Sequence, residues 1–237
     1  MRLTHFFTYF RNLGGVQSIL KRHHSREQDS HFLFSFEANN FKEPNISGLG
    51  VDGWDSIRCI RKKLAKHSDL FPDSVAVCHN MWGLQFLAEL IPAKRRIGIL
   101  HSDWTTLRPF LQSQKELLDG VLCVSNTLME LVAECLPELS KDNRIQLIPY
   151  PIDGVPIMPN RMSLVKRPVI IGWIGRMQEE QKRVDRLPSL LKAFDDAQID
   201  YRFELLGDGP MQEWLEKQLP ANRTVFHGRK SGDDYYS

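Results

Sequence analysis

The chain predicts an α/β fold of two doubly wound, mostly parallel sheets, and three observations support that expectation. Short apolar runs and amphipathic segments alternate along the 237 residues, the order that strand–helix–strand crossovers require. Pro149, Pro151, Pro156 and Pro159 interrupt this alternation and split it into two series. The second series opens with Val169, Ile170 and Ile171, the unbroken apolar run of a strand buried on both faces.

The elements are predicted as follows. Residues 3–10 are apolar and aromatic and read as the first strand, after which Gly14-Gly15 opens a helix over 16–22. HFLFSF at 31–36 is the second strand. Residues 56–65 have helical character and turn Arg58, Arg61, Lys62 and Lys63 largely outward. Strand–helix pairs follow at 75–79 and 84–90, at 97–101 and 107–118, and at 121–125 and 128–136, and a strand at 145–148 closes the series. Beyond the prolines come strand 169–174, helix 185–194, strand 201–206, helix 210–219 and strand 224–227. The expected division is a Rossmann-like domain over residues 1–160 and the first half of a second over 161–237. Parallel sheets average about five or six strands, so the second domain is expected to be incomplete.

Composition narrows the class. Hydrophobic residues make up 42% and charged residues 25%, as in an ordinary globular protein. The net charge is +2 and neither half is strongly basic, which argues against a nucleic-acid partner. Cys59, Cys78, Cys123 and Cys135 show no CxxC spacing and no zinc-spaced histidine, so they read as reduced thiols in a cytoplasmic protein. The first residues are broken by Arg11 and Asn12 and do not read as a signal peptide. No window reaches the roughly 18 apolar residues that span a bilayer. Peripheral contact with the inner face of a membrane stays open through the basic cluster at 58–66, which a solvated helix face explains more simply.

The densest chemistry lies in PVIIGWIGRMQEEQKRVDRL, residues 168–187. Gly172 and Gly175 let the backbone approach a ligand at the end of a strand, and Arg176 and Lys182 fall near a helix start. Arg176 can hold two oxygens with its planar fork, while Lys182 acts as a mobile point charge, together suiting a diphosphate. The plainer reading is solvated charge among Glu179, Glu180, Arg183 and Arg186. Gly14 and Gly15 either approach a phosphate or an acceptor closely or form a tight turn. His101 ends a predicted strand, where ligands of open α/β sheets bind. His79 also ends one and reads as structural or acceptor-lining. His5, His23, His24, His31, His67 and His227 have no comparable context. Gly207, Asp208 and Gly209 shape a strand-to-helix turn, and Gly228 and Arg229 either border a ligand or form a plain loop. DxD, GxSxG, GxxxxGK[ST], HExxH and the full GxGxxG fingerprint are absent, which removes support for metal-dependent, hydrolase, P-loop, zinc-protease and nicotinamide sites.

Six blocks together resemble the retaining GT-B-fold glycosyltransferases of the large family-4 type. They are Gly14-Gly15-Val16, ILHSDW (99–104), VSNTL (124–128) with IPYPID (148–153), IGRMQEEQKRVDRL (174–187), LLGDGPMQEWLEKQL (205–219) and VFHGRK (225–230). The resemblance implies transfer of a hexosyl unit, with retention, from a nucleotide-diphosphate sugar to a glycan, lipid-linked or small-molecule acceptor. It implies His101, Arg176 and Lys182 as catalytic residues and Gly14, Gly15, Gly175, Gly228 and Arg229 as substrate-binding ones, with no metal and no cofactor. The Glu-x7-Glu block that grips the donor in this family is not reached before Ser237. A non-catalytic, truncated remnant of such an enzyme is therefore the alternative expectation.

Overall fold

The computed structural model describes residues 2–11, 14–104, 106–150 and 168–230. The chain divides into two units, Met1–Gly154 and Val155–Ser237. The predicted boundary at residue 160, most of the proline-rich connection and the last seven residues lie outside the described residues.

The first unit runs β1 (Arg2–Phe7), α1 (Gly15–Arg26), β2 (His31–Phe34), β3 (Ile46–Gly48), α2 (Ile57–Ala65), β4 (Ser74–His79), α3 (Leu84–Leu87), β5 (Arg95–Leu100), α4 (Leu107–Gln114), β6 (Gly120–Cys123), α5 (Asn126–Cys135), α6 (Pro137–Lys141) and β7 (Ile145–Leu147). Its seven strands form one sheet in the order β3-β2-β1-β4-β5-β6-β7, with every pairing parallel. Strand order reverses beside β1, which puts the switch point, the usual ligand crevice of such sheets, at the carboxyl ends of β1 and β4. Phe6 and Phe7 point to opposite faces and enter different clusters. Phe6 belongs to the cluster that includes Leu64, Leu84, Leu111 and Val132, and Phe7 to the one with Leu20, Phe32 and Phe34. Both faces of this sheet are therefore covered, as its apolar strands require.

Local chemistry accounts for several boundaries. Ser56 and Ser125 cap α2 and α5, accepting hydrogen bonds from the backbone N–H of Cys59 and Leu128. The predicted helix at 84–90 is a single α turn followed by a 3-10 turn over Ala88–Leu90. β3 and α6 are too short and too polar to stand out in the sequence.

The second unit runs β8 (Val169–Ile174), α7 (Glu179–Lys182), α8 (Leu187–Asp196), β9 (Tyr201–Leu206), α9 (Gln212–Gln218) and β10 (Thr224–Phe226). Its three strands are parallel in the order β10-β9-β8. Tyr201, Phe203 and Leu205 share one face of β9 and pack against Leu187 and Leu191 of α8 and Leu215 of α9. The expectation that β8 is buried on both faces is corrected here. Val169 is 53% exposed, Ile170 67% and Ile174 61%; Ile170 and Ile174 point away from the face on which Ile171 and Trp173 pack with α8 and α9, and Val169 is the first residue of the strand. The apolar run reflects β pairing at a sheet edge and not two-sided burial.

Candidate functional site

The residues of the expected anion site lie in the second unit. β8 is followed by Gly175, whose φ of 159° is one that side chains rarely adopt, and a Cβ there would lie 3.3 Å from the Trp173 ring and 3.7 Å from Lys182 Cδ. Lys182 thus lays its aliphatic stem along the glycine turn. Arg176 lines a cavity of about 540 Å³ with Gln178, Asp208, Gly209, Pro210 and Gln212. Arg176 and Lys182 are both exposed, and neither has an ion-pair partner among the described residues. By contrast, Arg183 next in the chain is paired with Asp185 at 2.8 Å.

Two turns are packed backbone to backbone to build this place. Gly175 N–H donates to Leu206 O at 3.0 Å, Met177 N–H to Asp208 O at 2.7 Å, and Gly207 N–H to Gly228 O at 2.7 Å. A Cβ on Gly207 would sit 1.9 Å from Gly175 O, and one on Gly209 would sit 2.5 Å from Met177 O. The carboxyl ends of β8, β9 and β10 therefore converge through glycines at 175, 207 and 228. Gly228 is left-handed (φ 66°) and Arg229 beside it is exposed.

Arg176 and Lys182 do fall near a helix start, but the helix is the one-turn α7 and not the longer α8. Lys182 ends the one-turn α7, Arg183 reverses the chain with φ of 48°, and α8 begins only at Leu187. Glu179 and Glu180 occupy the first turn of α7, so any positive field here comes from side chains and loop N–H groups.

The second group of candidates lies in the first unit. Gly14 and Gly15 are exposed at the start of the twelve-residue α1. The loop before them is held by Glu37, a buried carboxylate that accepts from the N–H groups of Phe10 (2.9 Å) and Arg11 (2.8 Å) and from the Arg11 guanidinium (3.3 Å). A Cβ on Gly15 would meet nothing within 4 Å, so packing does not demand glycine there. His101 follows β5. Its N–H donates to Asn80 Oδ1 at 3.0 Å, and Asn80 (φ 51°) in turn donates its own N–H to Ile99 O at 2.7 Å. Beside it, Phe7, Thr8, Asn80, Trp82, Phe86 and Trp104 line part of a cavity of about 570 Å³.

Sequence reading missed how His101 is held. Its ring lies edge to edge with that of His79 and nearly coplanar with it, with centroids 5.0 Å apart and planes 3° from parallel, and its Nε2 lies 2.7 Å from His79 Nδ1. His79 continues to His5, and His5 to Glu27, through contacts of 3.0 Å each. His5 and His23, which offered no comparable context in the sequence, both join this line: His5 stacks on Phe32, and His23 bonds the same Glu27. Burial lowers the proton affinity of His101 to about 4 and that of His79 well below the usual histidine range. Burial alone would raise Glu27, but hydrogen bonds from His5, His23 and Ser30 bring it down to about 2. Among the described residues, His5, His23 and Glu27 place potential metal-ligand atoms within 4.8 Å of one another, and each imidazole already bonds the carboxylate. Cys78 and Cys123 are buried, and all four cysteines are unpaired thiols.

No family model and no curated protein matches the sequence. The fold is nevertheless that of the GT-B glycosyltransferases. The lipopolysaccharide outer core galactosyltransferase WaaB, in its apo form, matches with a TM-score of 0.68 at 15% identity, covering 98% of this chain and 69% of that one. Anabaena HepE, solved with UDP and glucose, matches with a TM-score of 0.66 at 12% identity, covering 96% of this chain and 69% of that one. An α-glucosyltransferase solved with UDP-glucose and DNA containing an abasic site matches at 0.53 and 15% identity, with 92% of this chain and 60% of that one covered. Among the described residues, no helix is long and apolar enough to cross a membrane.

Proposed function

We propose that this chain belongs to a retaining, metal-independent glycosyltransferase of the family-4 type that uses a nucleotide-diphosphate sugar. The observation that supports this best is the pair of cations Arg176 and Lys182, without ion-pair partners among the described residues, beside Gly175 and an open cavity at the carboxyl end of β8. In the proposed reaction the bond between the anomeric carbon and the phosphate oxygen breaks, and negative charge grows on the departing diphosphate. Arg176 and Lys182 stabilise that charge where it develops. The acceptor hydroxyl oxygen bonds to the anomeric carbon from the face the phosphate leaves, and its proton goes to a phosphate oxygen. Gly228 and Arg229 border the nucleotide.

In the first unit, His101 orients the reacting groups, and Gly14 and Gly15 allow a ligand to approach the open start of α1. The aromatic walls formed by Trp82, Phe86 and Trp104 suit the apolar faces of sugar rings, which supports a glycan or lipid-linked acceptor. A cytoplasmic place, at the inner face of a membrane, fits the unpaired thiols and such an acceptor.

Calorimetric titration of the 237-residue chain with UDP-, GDP- and ADP-sugars tests this reading. Arg176→Ala and Lys182→Ala should each weaken binding of the preferred donor about tenfold or more, the loss of a charge-assisted phosphate contact of about 1.5–3 kcal/mol. Donor affinity unchanged in both variants would refute the site.

A further inference from the structure

Five side chains from separate parts of the first unit form one continuous hydrogen-bonded line. Glu27 Oε2 lies 3.0 Å from His5 Nε2, His5 Nδ1 lies 3.0 Å from His79 Nε2, His79 Nδ1 lies 2.7 Å from His101 Nε2, and His101 Nδ1 lies 2.5 Å from Tyr150 Oη. His5 is 2% exposed and His79 is fully buried. The other groups facing the acidic end are His23 of α1, which bonds Glu27 Oε1, and the Ser30 hydroxyl, which donates to Glu27 Oε2 at 3.0 Å.

The chemistry of imidazole gives this line a direction. A neutral ring carries one N–H and one lone pair, whereas an ionised carboxylate only accepts. His5 must therefore donate from Nε2 to Glu27, which leaves its Nδ1 as an acceptor. His79 then donates from Nε2 to His5 and accepts at Nδ1, and His101 donates from Nε2 to His79. Every buried nitrogen is satisfied in this arrangement. The reverse arrangement would set a lone pair of His5 against the carboxylate.

We propose that Glu27, relayed by His5 and His79, is a positioning residue that sets His101 as the Nε2–H tautomer, so that its Nδ1 presents a lone pair to a hydroxyl donor. In the structure that donor is Tyr150, whose hydroxyl lies at His101 Nδ1. Only one part rests on the proposed function, namely that a sugar hydroxyl can take the place of Tyr150. The tautomer is a property of the protein without ligand, so its test stands apart from any test of glycosyl transfer.

Long-range proton–nitrogen correlation on 15N-labelled full-length chain at pH 7.5 reads the tautomer of each ring directly. The expected result is a protonated Nε2 and an unprotonated Nδ1 on His101. Glu27→Gln, whose amide oxygen can still accept from His5, should keep that form. Glu27→Leu, and His79→Phe as a variant that keeps a ring in the core, should each lose the single tautomer. A wild-type His101 protonated at Nδ1, or the same Nε2–H form persisting in both disrupting variants, would overturn the proposal. So would stoichiometric Zn²⁺ displacing the His5 Nε2 proton, since the trio would then be a metal site.

Discussion

Gly207 and Gly15 are both glycines at strand-to-helix junctions, and the structure gives them opposite meanings. A methyl group at 207 would collide with Gly175 O at 1.9 Å, and the residue has φ of 133°. A methyl group at 15 would meet nothing within 4 Å. Gly207→Ala should therefore cost about 2–4 kcal/mol, as strained backbone and forced displacement do. Gly15→Ala should stay within about 0.5 kcal/mol of wild type. Urea denaturation of the two variants checks both, and equal losses would show that the turn packing is misread. His101 was legible in the sequence because it ends a recognisable strand. Glu27, His5 and His79 were not, because His5 and His79 are 74 positions apart and Glu27 lies 22 beyond His5. Their meeting depends on β1 lying beside β4 with His5 opposite Val77, a register that no local pattern encodes.

At the scale of elements, the imidazole line ties α1, β1, β4 and the end of β5 into one electrostatic unit with a definite pH response. His101 is pushed by burial from its ordinary 6.5 to about 4, so between those values the unfolded chain binds a proton that the folded chain refuses. Its contribution is intact above pH 6.5 and declines as pH falls toward 4, by about 1.4 kcal/mol per pH unit for a single group. Glu27, lowered from 4.5 to about 2, has the same sign at lower pH. His31, lowered by burial to about 4, adds to the loss in the upper window. The melting temperature should therefore drop between pH 7 and pH 4.5, and the drop should be shallower in His79→Phe. Parallel slopes for the two proteins would contradict this coupling. Strands carried by apolar runs, such as β4, β6 and β9, were read to within a residue or two. The break between α7 and α8 was not, because the left-handed turn at Arg183 carries none of the usual glycine or asparagine signal.

For the whole molecule, the alternation of strands and helices and the proline interruption were enough to predict two parallel α/β units, and the two sheets have that form. What pattern alone could not supply was the covering of each sheet. The first has helices on both faces, and among the described residues the second has α8 and α9 on one face. The site proposed in the second unit lies where three strand ends meet, around Gly175, Arg176 and Lys182. The most direct measurement is the affinity of the chain for UDP, GDP and ADP against the matching monophosphates. If Arg176 and Lys182 bind a diphosphate, at least one diphosphate should bind about tenfold or more tightly than its monophosphate, and the double variant Arg176→Ala/Lys182→Ala should abolish that gap. Equal affinities for diphosphate and monophosphate in the wild-type chain, across all three bases, would contradict the account.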